Sequence, residues 1–421
     1  MPSLIALVIF VVAYGAIVTE KVHRTVVALA GGTLMVFLGL LPQHEAYGAI
    51  DWNVIFLLLS MMVMVDILED TGFFQWLEFR CLHWSKGVPL RMAILLCLMT
   101  GVLSAFLDNV TTIVLTTPLT LRIARTLRIK AVPLIIAQVL ASNIGGTATL
   151  IGDPPNILIG SAAGLSFVAF LAHLTPVVLA ILLLFAGILG WLLRKDLTPR
   201  EEPAVPLTIE EEGITDRPLL QKTLLVLGLV LCGFLFHSFL HLEVSTIALG
   251  GAALLLLIAR EDPHPRLREV EWSTLFFFVG LFLLVGGLVH TGVIEALGRA
   301  AMKGVHGHPL GGALLVLWLS GAVSGVVDNI PYTAMMIPLI KTLGGSMNVE
   351  PLWWSLALGA CLGGNATLVG ASANVVAAGI CEKNGEPLRF KDFLRYGLPV
   401  TLMSLLASSL YVWLRYFAFR P

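Results

Sequence analysis

Two Asp-Asn pairs set in apolar text are the residues best placed to do chemistry. Asp108-Asn109 lies in SAFLDNVTTIVLTTPL and Asp328-Asn329 in SGVVDNIPYTAMMIPL. A carboxylate inside a membrane segment is costly, so it normally faces a cavity or a partner and serves function. Asp108 and Asp328 are therefore candidates to carry a coupled proton. Asp is also a good helix N-cap, and Asn caps about as well, so capping alone is the competing reading. Asn109, Thr111 and Thr112 follow the first pair, and Asn329 and Thr333 follow the second. Amides, hydroxyls and unsatisfied backbone N–H groups at a helix start form a polar funnel. It suits a neutral polyhydroxyl compound or an anion, and its side-chain oxygens could ligate a cation.

Two Gly-rich stretches repeat the pattern. ASNIGGTATLIGDPPN carries Asn143, Gly145, Gly146, Thr147, Thr149, Asp153 and Asn156; LGGNATLVGASAN carries Gly363, Gly364, Asn365, Thr367, Ser372 and Asn374. Glycine permits backbone that is neither helix nor strand, and such backbone exists at membrane depth only where it lines a cavity. A single Gly pair would equally serve close helix packing; two breaks at matching places point to a site. Asp153 has no counterpart, since Asp153-Pro154-Pro155 becomes Ala371-Ser372-Ala373. It is read either as a third titratable acid or as a cap.

Composition says what holds these residues. The chain of 421 residues is 57% hydrophobic and 13% charged, with mean hydropathy +0.91; a soluble domain would carry about 25% charge. This is an all-α polytopic membrane protein, and neither nucleic acid nor a cofactor is expected. The five Cys (81, 97, 232, 361 and 381) fall in no metal-binding spacing, so no metal is expected. Apolar runs of spanning length fall at 4–19, 24–42 and 52–69, followed by an interfacial stretch at 73–84. A re-entrant hairpin at 90–127 breaks at Asp108-Asn109, a broken span covers 131–163, and a long span covers 166–193. After a charged linker at 194–219 the order returns: 223–240, 244–259 and 272–289, a hairpin at 309–345, a broken span at 351–382 and a span at 391–416. The expectation is about 10 transmembrane helices plus two re-entrant hairpins.

Subtraction exposes a repeat. Trp272 − Trp52, Asp328 − Asp108 and Pro338 − Pro118 give 220; Gly364 − Gly146, Thr367 − Thr149 and Asn374 − Asn156 give 218. Residues 1–193 and 220–421 are two copies of one unit. Each has an odd number of full crossings, so the second enters the membrane inverted. Lys21, Arg24, Arg80, Lys86, Arg91, Arg122, Arg125, Arg128, Lys130, Arg194, Lys195, Arg200, Lys383, Arg389, Lys391 and Arg395 fall on one side. That side is cytoplasmic by the positive-inside rule, which places both termini outside. Arg299 and Lys303 run against the rule. The N-terminus lacks a basic n-region, so its apolar run is expected to be retained as a helix. Asp66 and Asp70 are read as interfacial, and His237, His241, His290, His306 and His308 as solvated at outer helix ends.

With these motifs assembled, the chain resembles the ion transporter superfamily. NIGGTATLIGDPPN, GGNATLVGASANVV and the two Asp-Asn tips are most similar to its ArsB/NhaD branch of arsenite permeases, Na⁺/H⁺ antiporters and the P protein. The resemblance covers nearly the whole chain. It implies a homodimer in which spans 1–3 and 6–8 form a scaffold, while hairpins and broken spans move as an elevator. In the dicarboxylate branch the tips read Ser-Asn-Thr and bind Na⁺ and carboxylate. Asp108-Asn109-Val110-Thr111 and Asp328-Asn329-Ile330-Pro331 depart from that, which lowers a Na⁺-coupled dicarboxylate reading and favours proton coupling.

The functional expectation is a secondary transporter of the inner membrane, not an enzyme. Proton-coupled efflux of arsenite or antimonite ranks first, because no Lys or Arg is expected near either tip or break and As(OH)₃ is uncharged. A Na⁺/H⁺ antiporter is the alternative, and a P-protein-like organic-anion or chloride carrier ranks third. The expected partners are a small inorganic substrate with H⁺ or Na⁺, the lipid bilayer and a second copy, with room for a cytoplasmic ATPase subunit. An intramembrane aspartyl protease would need two carboxylates sharing a proton but no Gly-rich breaks, and a channel does not need two opposed hairpins.

Overall fold

A computed structural model describes residues 2–19, 22–194, 196–197, 213–305, 308–344 and 347–418, all helices and turns, with no strand among them. The first half contains α1 (Pro2–Thr19), α2 (Arg24–Phe37), α3 (Gln43–Ala49), α4 (Trp52–Asp70), α5 (Phe73–Ser85), α6 (Pro89–Phe106), α7 (Asn109–Leu127), α8 (Ala131–Gly146), α9 (Pro154–Ala163), α10 (Phe167–His173) and α11 (Thr175–Leu192). The second contains α12 (Arg217–Leu240), α13 (Val244–Ala259), α14 (Pro263–Glu269), α15 (Trp272–His290), α16 (Val293–Val305), α17 (Pro309–Ser324), α18 (Asn329–Leu343), α19 (Glu350–Gly363), α20 (Ser372–Lys383) and α21 (Phe390–Trp413), which ends in a π turn, Leu414–Ala418. Most of the linker, with Lys195 and Arg200, lies outside the described residues, as do Lys21 and His306.

Among the described residues, six helices are long and apolar enough to cross a membrane, or seven if one bent pair counts as a span. That is fewer than the ten expected. The helices α2, α8, α13 and α17 are apolar but shorter; at 1.5 Å per residue, 14–16 residues rise only 21–24 Å. The α6 helix, read as one arm of a re-entrant hairpin, is itself long enough to cross. The long span expected at 166–193 is two helices. Pro176 stands at the start of α11, where its missing N–H is tolerated. The short α10 before it is bent by 117° from α9.

Two helix pairs pack closely and touch each other through α4 and α15. Along α2 and α15, Thr25 Oγ1 donates to Ser273 O (2.7 Å) and Met35 lies over Gly287, so the two run in the same direction. Along α4 and α13, Ser245 Oγ donates to Asn53 Oδ1 (2.7 Å) and Met64 faces Gly251, again in the same direction. At the end of α4, Asp66 and Asp70 meet Arg266 of α14, just before α15 begins. At the end of α15, His290 pairs with Glu45 of α3 at 2.8 Å, just before α4 begins. The α4 and α15 helices therefore run in opposite directions.

The hairpins and broken segments interleave. The pair α6–α8 packs as α17–α19 does, and α7 lies against α20 while α18 lies against α9. Glycine makes the first two contacts possible. A Cβ on Gly145 would sit 1.9 Å from Gly101 O, and one on Gly363 would sit 2.6 Å from Gly321 O. Both distances are far inside van der Waals contact, so all four positions hold backbone against backbone.

Candidate substrate site

The first tip is a closed cap. Asp108 precedes α7 and accepts from Thr111 N (2.9 Å) with one oxygen and from Thr111 Oγ1 with the other. Thr112 Oγ1 donates back to Asp108 O at 2.9 Å. Asn109, the first residue of α7, is buried and donates to Asn143 Oδ1 at 3.0 Å.

Asn143 is the centre of the site. It lies in the last turn of α8, and its Nδ2 donates to Asn365 Oδ1 and Asn374 Oδ1, both at 2.9 Å. Asn365 Nδ2 in turn reaches Leu140 O at 3.1 Å. Four amides from both halves are thus joined with no charged group among them.

The breaks satisfy their own backbone with the polar side chains singled out from sequence. Asn156 Nδ2 donates to Thr149 O (2.8 Å) and Thr147 O (3.1 Å); Asn374 Nδ2 donates to Gly364 O (2.8 Å) and Thr367 O (2.9 Å). Thr147 Oγ1 donates to Asn143 O (2.7 Å), Thr149 Oγ1 to Ala105 O and Thr367 Oγ1 to Gly325 O (2.7 Å). A buried carbonyl without a partner costs about 1–3 kcal/mol, so these donors hold each non-helical segment in place. Gly146 and Gly152, like Gly364 and Gly370, bring the two ends of each break into contact. Cys361 joins the first break, its Sγ donating to Asn156 Oδ1 at 3.5 Å.

Asp153 is fully buried at the start of α9 yet makes no capping bond there. It accepts instead from Asn329 Nδ2 of the other half, at 3.3 and 3.4 Å. Two buried polar atoms beside these groups, Asn109 Oδ1 and Thr333 Oγ1, have no hydrogen-bond partner. Unanswered buried acceptors of this kind are what a ligand or ion would satisfy.

The second tip is built differently, and here the sequence reading needs correction. Asp328 accepts from Ile330 N (2.9 Å) with one oxygen, and its other oxygen is held by Arg24 Nη1 (2.9 Å) and Ser372 Oγ (2.7 Å). A basic residue therefore does stand at a hairpin tip, although none is near in sequence. Arg24, read as a loop charge, begins α2 and lies over the Phe277 ring at 5.2 Å. The signal available was its repeat partner: 24 + 220 is Val244, so Arg24 is a charge that the other half lacks. Beside the pair is a cavity of about 290 Å³ lined by His23, Arg24, Asp328, Ser372 and apolar side chains.

The profile of the citrate transporter family, CitMHS, matches residues 14–359. The chain belongs to this family. An uncharacterized transporter of Mycobacterium tuberculosis is 44% identical over 426 residues, covering 99% of this chain and 100% of that protein. A 46 kDa membrane protein of Mycobacterium leprae is 43% identical over 98% of this chain and 99% of its own. The P protein of Homo sapiens is 35% identical over 97% of this chain and 59% of its own length. A solved structure, the Alcanivorax borkumensis YdaH transporter, covers 98% of both chains with TM-score 0.61 at 13% identity, a likeness of fold. This CitMHS member is a multi-pass membrane transporter.

Proposed function

We propose that this citrate-transporter-family protein is a proton-coupled secondary transporter of a small organic anion, with its site between the two hairpin tips. The observation that carries the anion is Arg24, a guanidinium held at the second tip beside a cavity. It removes the premise on which a neutral substrate ranked first. The family's name points the same way. The coupling acids are Asp328, which faces the cavity, and Asp153, which is buried without a capping bond; Asp108 serves first as a cap. The opposed directions of α4 and α15 and the mirrored packing of the hairpins support an inverted-topology repeat. On this reading the pairs α2–α15 and α4–α13 are scaffold, and the tips and breaks move as an elevator across the inner membrane.

A neutral triol such as As(OH)₃ is the second reading, favoured by the charge-free group Asn109, Asn143, Asn365 and Asn374 and by the likeness to the ArsB/NhaD branch. Proteoliposomes under an imposed pH gradient separate the two. Uptake of labelled citrate or fumarate that collapses with a protonophore is expected. Arsenite or Na⁺ movement with no carboxylate uptake would replace the anion reading.

A further inference from the structure

We propose that Arg24 and Ser372 form a carboxylate-binding site that the protein's own Asp328 occupies when substrate is absent, so that an anion and a proton enter together. The inference rests on the anion reading above and says how that anion is held.

Three substitutions between the halves build this site. Position 111 is Thr, whose N–H and hydroxyl engage both oxygens of Asp108; the matching position 331 is Pro, with no N–H and no hydroxyl. One oxygen of Asp328 keeps the cap through Ile330 N, and the other has no donor left on its own helix. It turns to Arg24, whose counterpart is Val244, and to Ser372, whose counterpart is Pro154. The cavities differ in the same sense. The one at Asp328 has His23 and Arg24 on its wall; one of about 330 Å³, lined from both halves, has Glu243 and Val244 at the matching places beside His237 and His241, and neither an Arg nor Asp108 lines it.

A guanidinium and a hydroxyl on one carboxylate oxygen are the donors an external carboxylate would need. The Asp328 side chain is 13% exposed and that of Arg24 is 30% exposed, so the pair is open to exchange from the cavity. When an anion takes Arg24 and Ser372, Asp328 loses its counter-charge within the membrane. Taking up one proton removes the uncompensated charge on Asp328: Asp328 carboxylate on Arg24, plus anion, plus H⁺, gives Asp328 carboxylic acid and anion on Arg24. No bond other than O–H is formed. The other groups facing this pair are Tyr14 of α1, which in turn lies by Tyr332 of α18, His23 before α2, Asp153 at the start of α9 and Glu271 before α15. His23 shares the cavity wall with Arg24 and Asp328, and His23→Gln is the control for its part.

The test is binding of fumarate, which stays doubly charged across the range, to the purified full-length protein in nanodiscs between about pH 6 and about pH 8. In the wild type, affinity should fall about tenfold per pH unit while one proton enters with each anion. Asp328→Asn frees Arg24 without charge competition. It should bind fumarate at least about tenfold tighter at the alkaline end and lose most of the pH dependence. Arg24→Gln, alone or with Asp328→Asn, should abolish binding while the size profile stays monodisperse. Asp328→Asn that binds no tighter and keeps the wild-type pH dependence would overturn the exchange, as would wild-type binding by Arg24→Gln or a pH dependence abolished by His23→Gln. Absence of binding in wild type and Asp328→Asn alike, with fumarate, citrate and chloride, would overturn the anion reading itself.

Discussion

At the first hairpin tip, Asp108 turns both carboxylate oxygens onto Thr111 of its own helix. At the second, Asp328 caps with one oxygen and reaches across to α2 with the other. The same dipeptide is thus a closed local motif in one half and half of an intersegment ion pair in the other. The residue three places on decides it, because Thr111 supplies two donors and Pro331 supplies none. Copies of one unit need not contribute equally to a site.

The largest effects should come where the halves are most alike. Gly145→Ala drives a Cβ to 1.9 Å from Gly101 O, and Gly363→Ala to 2.6 Å from Gly321 O. Overpacking costs about 1–3 kcal/mol or more, and here the obstacle is backbone. Both variants should lose monodisperse protein on size-exclusion chromatography and melt earlier, Gly145→Ala more severely. Equal melting to wild type would show that these helices have room to part.

Asn143→Ala comes next. It removes one acceptor and two donated bonds from a buried network, at about 1–3 kcal/mol per group left unsatisfied. Anion uptake in proteoliposomes should fall at least about tenfold. Unchanged uptake would place the substrate path away from the amides.

Pro331→Thr tests the comparison at its cause. It gives Asp328 the two donors that Asp108 has, which should loosen its hold on Arg24 by about 1 kcal/mol, roughly fivefold in anion affinity. An Asp328 still as competitive as before would show that the Arg24 pair, not the local cap, sets its position.

The smallest effect concerns Asp196, just beyond α11. Burial works against its charge, but the Tyr396 hydroxyl, Lys130 Nζ at 3.0 Å and Arg395 together hold its carboxyl below the usual carboxylate range. A folded-state pKa below the unfolded one gives stability that is full above the unfolded value, about 3.9, and is lost as pH falls through the lower folded value. Asp196→Asn should therefore cost about 0.5 kcal/mol at neutral pH, modest because Lys130 is half exposed. The difference should close in strong acid; a gap that persists there would deny the charge its part.

Much of this was legible in the sequence. Hydropathy marked the apolar segments, and the Gly-rich stretches marked both breaks, at 147–153 and 364–371. Rare polar residues at constant offset marked the tips. Subtler outcomes needed three dimensions. Pro176 divides an apolar run that composition reads as continuous. Thr147, Thr149 and Thr367 donate to backbone carbonyls rather than standing free as ligands. Arg24 lies 304 residues from Asp328, and no local pattern joins them.

The central claim, that the tips are unequal, is tested most directly by pH-driven anion uptake in proteoliposomes of Asp108→Asn beside Asp328→Asn. Asn caps about as well as Asp, so Asp108→Asn should keep uptake within about threefold of wild type and retain its response to the gradient. Asp328→Asn should still bind anion but take it up without regard to the pH gradient. Equal loss in the two variants, or coupling lost at Asp108 and kept at Asp328, would contradict the account.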